Sequence, residues 1–181
     1  GIDISISFWS RSASDVTENQ HICNFWSNAS TYNSPTGDSI RIYKNGLSLR
    51  VGVSNTSGQK NYYVWNNAYE LNKYSHFVIA INRGYDISSA DSNWITVYKD
   101  GQDLGNADSK INSYSGNQLS ITGIYIGDYP DTHEDGEFKG HITNMSIWKT
   151  ELDSDDVQEI YNKGRWRDLN SHPQALSLIH I

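Results

Sequence analysis

The stretch Ile126 to Phe138, IGDYPDTHEDGEF, gathers oxygen donors into one short run. Asp128, Asp131, Glu134 and Asp135 fall within eight positions, and no Lys or Arg separates them. Carboxylates held that close repel: at 4 Å and an effective dielectric of 20, each pair costs about 4 kcal/mol. Either the loop stays solvated and flexes its charges apart, or a cation sits among them. Calcium suits the second case, since it is a hard ion that takes roughly 6–8 oxygens at about 2.3–2.6 Å without strict geometry. Pro130 stiffens the turn and lowers the cost of ordering it. Zinc fits less well, because apart from His133 the donors of the run are all oxygens.

Aromatic residues offer a second kind of chemistry. Tyr129 lies inside the acidic run, and Tyr62, Tyr63 and Trp65 lie in QKNYYVWNN, between two strands. Flat rings stack on the apolar faces of sugars while their polar edges stay wet. That makes Tyr129, Tyr62 and Trp65 the ligand-binding candidates. The competing role for Tyr63 and Trp65 is filling a core. Trp9 and Trp94 alternate against buried neighbours and suit the concave sheet face, whereas Trp148 reads as structural.

Catalytic patterns are weak. Glycan hydrolases of two-sheet shape set carboxylates at alternate positions of one strand, so that acid and nucleophile flank the bond. Here EDGEF puts its acids side by side in a turn. The sequence has no HExxH and no Ser-His-acid order, and its six His residues are dispersed. Cys23, the single cysteine, sits in the alternating run HICNFW and reads as a small buried thiol. The expectation is a protein without enzymatic activity.

The elements that must position these groups have a two-residue period. In IDISISFWS, Ile2, Ile4, Ile6 and Phe8 point one way and Asp3, Ser5, Ser7 and Trp9 the other. Ile40 and Ile42, then Asn45-Gly46, then Leu47, Leu49, Val51 and Val53 predict a hairpin turned on Asn45-Gly46. A second hairpin turns on Asp100-Gly101, and HFVIAIN, QLSITGIYIG and HITNMSIW supply more strands. Half-polar alternation over so many strands predicts an all-β, antiparallel two-sheet jelly-roll sandwich. One short C-terminal helix is expected after Leu152, with Asp153 as N-cap and Asp156 completing a capping box. Gly164 suits its left-handed end. A strand-like run closes the chain.

Bulk properties set limits. A length of 181 residues fits a single domain spanning 1–181, and a chain that opens at Gly1 directly on a strand suggests a segment of a larger protein. The net charge of −7, with no basic run, argues against nucleic acid, and no apolar stretch is long enough for membrane insertion. Six Trp and 12 Tyr against one Met, in a Ser- and Asn-rich chain, suit sheets with aromatic, polar loops. Such usage is extracellular, secreted or virion-surface in style.

The order of pieces resembles a known family. SISFW, the YKDG hairpin, IYIG, F-x-G-x-I-x-x-M-x-I-W and L-D-x-x-D-V-x-x-I-Y closely resemble the laminin-G-like and pentraxin-like branch of the concanavalin A-like lectin/glucanase superfamily. The resemblance runs from about Ile4 to Gly164. It implies a non-catalytic module that recognises a glycan or another surface ligand, often with calcium. It also implies a metal set in which Asp38 of TGDSIRIY and Asp131 of GDYPD take pentraxin positions, joined here by Asp128 and by Glu134 or Asp135. Asp128, Tyr129 and Pro130 depart from the pentraxin GQEQD pattern, which favours one calcium over two. The pentraxin disulfide has no counterpart, because its positions fall near Ser5 and Val78. A structural, adhesion or virion-decoration module, contacting other chains of a larger assembly, is the alternative that the residues leave open.

Overall fold

The structure, a computed structural model, describes residues 3–26, 39–54, 60–82, 94–112, 123–128, 136–165 and 175–179. The strands are β1 (Ile4–Ser12), β2 (Asn19–Trp26), β3 (Ser39–Asn45), β4 (Ser48–Ser54), β5 (Lys60–Trp65) and β6 (Tyr74–Ile81). They continue with β7 (Ile95–Lys99), β8 (Gln102–Asp103), β9 (Ser109–Asn112), β10 (Gly123–Ile126), β11 (Gly140–Trp148) and β12 (Ala175–Ile179). Helix α1 (Ser154–Tyr161) lies between β11 and β12.

Two six-stranded antiparallel sheets result, as the alternation predicts. One runs β12-β11-β1-β6-β7-β8 and carries the helix; the other runs β10-β2-β3-β4-β5-β9. We call them the helix-side sheet and the open sheet. Ile6 and Phe8 of β1 and Phe77 and Ile79 of β6 meet Ile40, Ile42, Leu49, Val51 and Tyr63 of the open sheet in one buried core. Cys23 lies inside it, fully buried, and burial pushes its thiol pKa up. At about 25 cal/mol per Å2 of apolar surface, this layer is the main stabilising term.

Local chemistry explains the connections. The Asp100-Gly101 hairpin forms as expected, with φ of 51° and 81° at its two central residues. The other hairpin is shifted by one residue: Asn45 pairs with Ser48, so Gly46 and Leu47 form the turn. Gly46 alone takes the positive φ, 59°, and Asn45 stays in the ladder. The helix begins as its sequence predicts. Asp153 accepts from the amides of Asp155 and Asp156, and the Asp156 side chain reaches back to the Asp153 amide. Its left-handed end falls earlier than expected, at Asn162 (φ 48°) and Lys163 (φ 55°), before Gly164 (φ 79°).

One irregularity matters for surface chemistry. Between the pairs Ser7–Ser146 and Trp9–Thr143, β11 carries an extra residue. Asn144 takes φ 49° there, a β-bulge that changes which residues of β11 face inward. Met145 and Ile147 face the core on one side of it, and Ile142 does so on the other.

Candidate functional site

Residues paired across an antiparallel sheet share a face, so the register assembles a surface from remote segments. On the outer face of the open sheet, Tyr125 pairs with Asn24, Asn24 with Arg41, Arg41 with Gly52, and Gly52 with Tyr62. At about 4.8 Å per strand, that row is roughly 19 Å long. A second row runs His21–Tyr43–Arg50–Val64. Their neighbours in sequence, Phe25, Ile40, Ile42, Val51 and Tyr63, are buried in the core, so these rows face away from it.

Contacts hold the row in place. A Cβ at Gly52 would lie 2.6 and 2.7 Å from ring atoms of Tyr62, so the glycine is what lets that ring lie across the strand. Tyr43 meets Tyr62 edge-on at 6.3 Å, and His21 stacks on Tyr43 at 5.3 Å. The Arg41 guanidinium lies 4.9 Å over the Trp26 ring, and its Nε donates to Ser39 Oγ at 3.3 Å. His21 Nδ1 donates to Asn24 Oδ1 at 2.9 Å, and Asn24 Nδ2 donates to the Asp128 carbonyl at 2.8 Å. Burial lowers the His21 pKa to about 4 against the pull of the Asn24 hydrogen bond, and the Arg41 charge adds to the lowering. The imidazole is therefore neutral at physiological pH. It serves as a fixed donor to Asn24.

The predicted site residues fall unevenly. Tyr62 is half-buried on this face, and Asp128 is exposed at the far end of the same row. Trp65 is corrected: it is 3% exposed in the core, and its indole N–H donates to the Gly105 carbonyl at 3.0 Å. The residues Tyr62 to Trp65 form β5 and no loop, so alternation turns Tyr62 out and Trp65 in. Trp94 is also internal, packed edge-on against Tyr63, and Trp9 lies on the helix-side sheet beside His76 and Tyr161. Asp38, Tyr129, Asp131, Glu134 and Asp135 lie outside the described residues. Arg41, Arg50 and Asn24 carry no sequence signal of their own; only strand register reveals them.

Of the five acids in the expected calcium set, only Asp128 lies among the described residues. Among them, no three His, Cys, Asp or Glu side chains form a metal-sized group. The stem of the acidic loop is closed by Phe138 N–H donating to Gly127 O at 2.9 Å and His21 N–H donating to Gly136 O at 2.8 Å. Ser39, next to Asp38, pairs instead with Trp26. From Trp26 back to His21 is roughly 15 Å along the strand. The stems of the two loops thus lie at opposite ends of β2.

A second concavity, about 510 Å3, opens beside β10 and β11, lined by Tyr74, Ile126, Phe138, His141 and Ile142. Arg11 borders it, donating to His141 Nδ1 at 3.1 Å and lying 5.6 Å over the Tyr74 ring.

A laminin-G-type family model, described as concanavalin A-like lectin/glucanases superfamily, matches residues 2–158. The chain belongs to this superfamily. Among solved structures, a heptameric SAP-like pentraxin from Limulus polyphemus shares the fold of this concanavalin A-like chain, with a TM-score of 0.58 and 16% identity over 99% of this chain and 79% of the pentraxin. The Ruminococcus gnavus IT-sialidase CBM40 is similar at TM-score 0.60 and 10% identity, covering 88% of this chain and 83% of that one. The binding domain of botulinum neurotoxin serotype D gives a TM-score of 0.59 and 13% identity over 91% of this chain. This concanavalin A-like chain spans only 36% of that neurotoxin domain. No curated protein sequence matches it.

Proposed function

We propose that this chain is a non-catalytic module that binds a glycan or another surface ligand on the outer face of its open sheet. The observation that carries the reading is the row Tyr125–Asn24–Arg41–Gly52–Tyr62. It combines the Tyr62 ring, laid over a glycine, with the half-buried Arg41 guanidinium, while the fully buried Asn24, bonded to His21 and Asp128, braces the row. A sugar demands that combination: an apolar ring face to stack and hydroxyls to hydrogen-bond. The names of similar structures support it, since one is a carbohydrate-binding module solved with α2,3-sialyllactose and others are receptor-binding domains of toxins. Those names also suit an extracellular or surface-associated setting. Among the described residues, no helix is long and apolar enough to cross a membrane.

The decisive experiment is a glycan array with the whole chain and with Tyr62→Ala. The expected result is a set of hits for the parent that weakens about tenfold in the variant, as the loss of about 1.4 kcal/mol of ring contact requires. Hits that survive Tyr62→Ala unchanged move the site elsewhere. Calcium dependence rests on the resemblance and on the acidic run. Repeating the array with a chelator and titrating calcium by calorimetry decide it.

A further inference from the structure

We infer that the ligand of this face is an acidic sugar, whose carboxylate or sulfate is received by Arg50 between Tyr43 and Tyr62. The inference rests on the binding face proposed above. Its first support is a charge asymmetry. The protein is acidic, with 21 Asp and Glu against 14 Lys and Arg. Yet the two rows hold Arg41 and Arg50, a His21 that burial and Arg41 keep neutral, and no acidic side chain; Asp128 lies off the β10 end, and Asp108, whose amide donates to the Val64 carbonyl, off the other. An acidic protein that gathers guanidinium groups on one face sets that face apart for an anion.

The second support is the state of Arg50. It is half-buried, and it makes none of the ion pairs found among the described residues, which join Lys73 and Lys99 to Glu70 and Lys139 to Glu18. It stands beside Tyr43, its partner across the β3–β4 ladder, and its Nε is buried with no hydrogen-bond partner. A guanidinium offers five donors in a planar fork that matches carboxylate or sulfate oxygens. The Nε is closed off, so an incoming anion engages the terminal N–H groups of the fork. Tyr43 and Tyr62 stand edge-on to each other at 6.3 Å, and the Tyr62 ring lies over Gly52, two residues along β4 from Arg50. A pyranose stacked on Tyr62 therefore brings an acidic substituent within the span of one sugar residue of the guanidinium. Arg41, on the adjacent strand, adds positive potential.

Three trisaccharide-sized or smaller probes test the inference: sialyllactose for the carboxylate, 3′-sulfolactose for the sulfate, and lactose as the neutral control. Calorimetry on the whole chain is expected to show at least one acidic probe bound tenfold or more above lactose. That ratio is expected to fall below threefold in Arg50→Gln, and Arg50→Lys to restore part of it, since a point charge keeps the attraction and loses the fork. For the parent, raising salt from 50 to 500 mM is expected to narrow the ratio, a readout that stands even if Arg50→Gln misfolds. The carboxylate and sulfate arms say which oxyanion the site prefers. Equal affinity for acidic and neutral probes, or an acidic preference unmoved by both salt and Arg50→Gln, overturns the inference and leaves the binding face intact. If none of the probes binds and an array of neutral and acidic glycans gives no hit, both readings fall; array hits confined to neutral glycans overturn the acidic class alone.

Discussion

The outer faces of the two sheets are built from similar residue types and put to opposite uses. On the helix-side sheet, Val78, Ala80 and Trp148 are closed over by Leu152, Val157 and Ile160 of the helix segment. Trp148 donates its indole N–H to Ser7 Oγ at 3.1 Å, and Ser5 Oγ donates to the Thr150 carbonyl and accepts from the Leu152 amide. Ring contacts continue the cover: Tyr161 stacks on Trp9 and on His76 at 5.9 Å, and Trp9 meets His76 tilted at 5.2 Å. On the open sheet the aromatic and polar residues meet each other laterally, and no helix lies over them among the described residues. Tyr43, His21 and Trp26 are nevertheless buried, and the half-buried Tyr62 and Tyr125 are the rings of the row that a ligand can reach.

The largest test of this division is Trp148→Ala. It empties a fully buried site under the helix, so a loss of about 3–5 kcal/mol in urea unfolding is expected. Glycan binding by the fraction that remains folded should be unaltered. An equal loss from Tyr62→Ala would erase the distinction between the faces.

Acid provides the next test, because each face holds a neutral histidine. Burial lowers the pKa of both His21 and His76 from 6.5 to about 4. The unfolded chain takes up these protons near pH 6.5 and the folded chain only near 4. Their contribution is thus complete above about 6.5 and is lost as pH falls towards 4, by up to about 3 kcal/mol per histidine. Urea titrations from pH 7 to 4 should show that fall, and His76→Gln should flatten it. His76 Nδ1 is buried without a hydrogen-bond partner, so its replacement leaves no broken bond on that atom.

Gly52→Ala sharpens the comparison from the ligand side. The added methyl meets the Tyr62 ring and pushes it off the strand. Affinity should fall severalfold while the melting temperature moves little, since that ring lies outside the core. The smallest effect is expected from Asp153→Ala, which removes the helix cap. A loss of about 1 kcal/mol should appear in unfolding, with binding on the opposite sheet unchanged.

How much of this was legible in the sequence depended on range. The capping box at Asp153 and the Asp100-Gly101 turn are set by neighbours, and both could be read directly. The Gly46 turn slipped by one position because two residues of positive-φ tendency compete there and the ladder decides. β5 was missed because Tyr62, Tyr63, Val64 and Trp65 are all bulky and hydrophobic or aromatic, which conceals the period of two. The same oversight placed Trp65 at a ligand. The binding row was out of reach, since it needs β10 beside β2 and β4 beside β5, pairings that no local pattern specifies. The acidic run was visible as a feature, but its stem is what the structure describes, and that stem sits at the His21 end of the open sheet.

The extra residue at Asn144 divides β11 into two segments of opposite phase. Deleting it would turn the first segment inside out, sending Ile142 to solvent and driving His141 and Thr143 between the sheets. The Tyr74–His141 rim of the side concavity therefore owes its existence to one supernumerary backbone unit. A chain lacking that unit would keep the sandwich and lose the hollow.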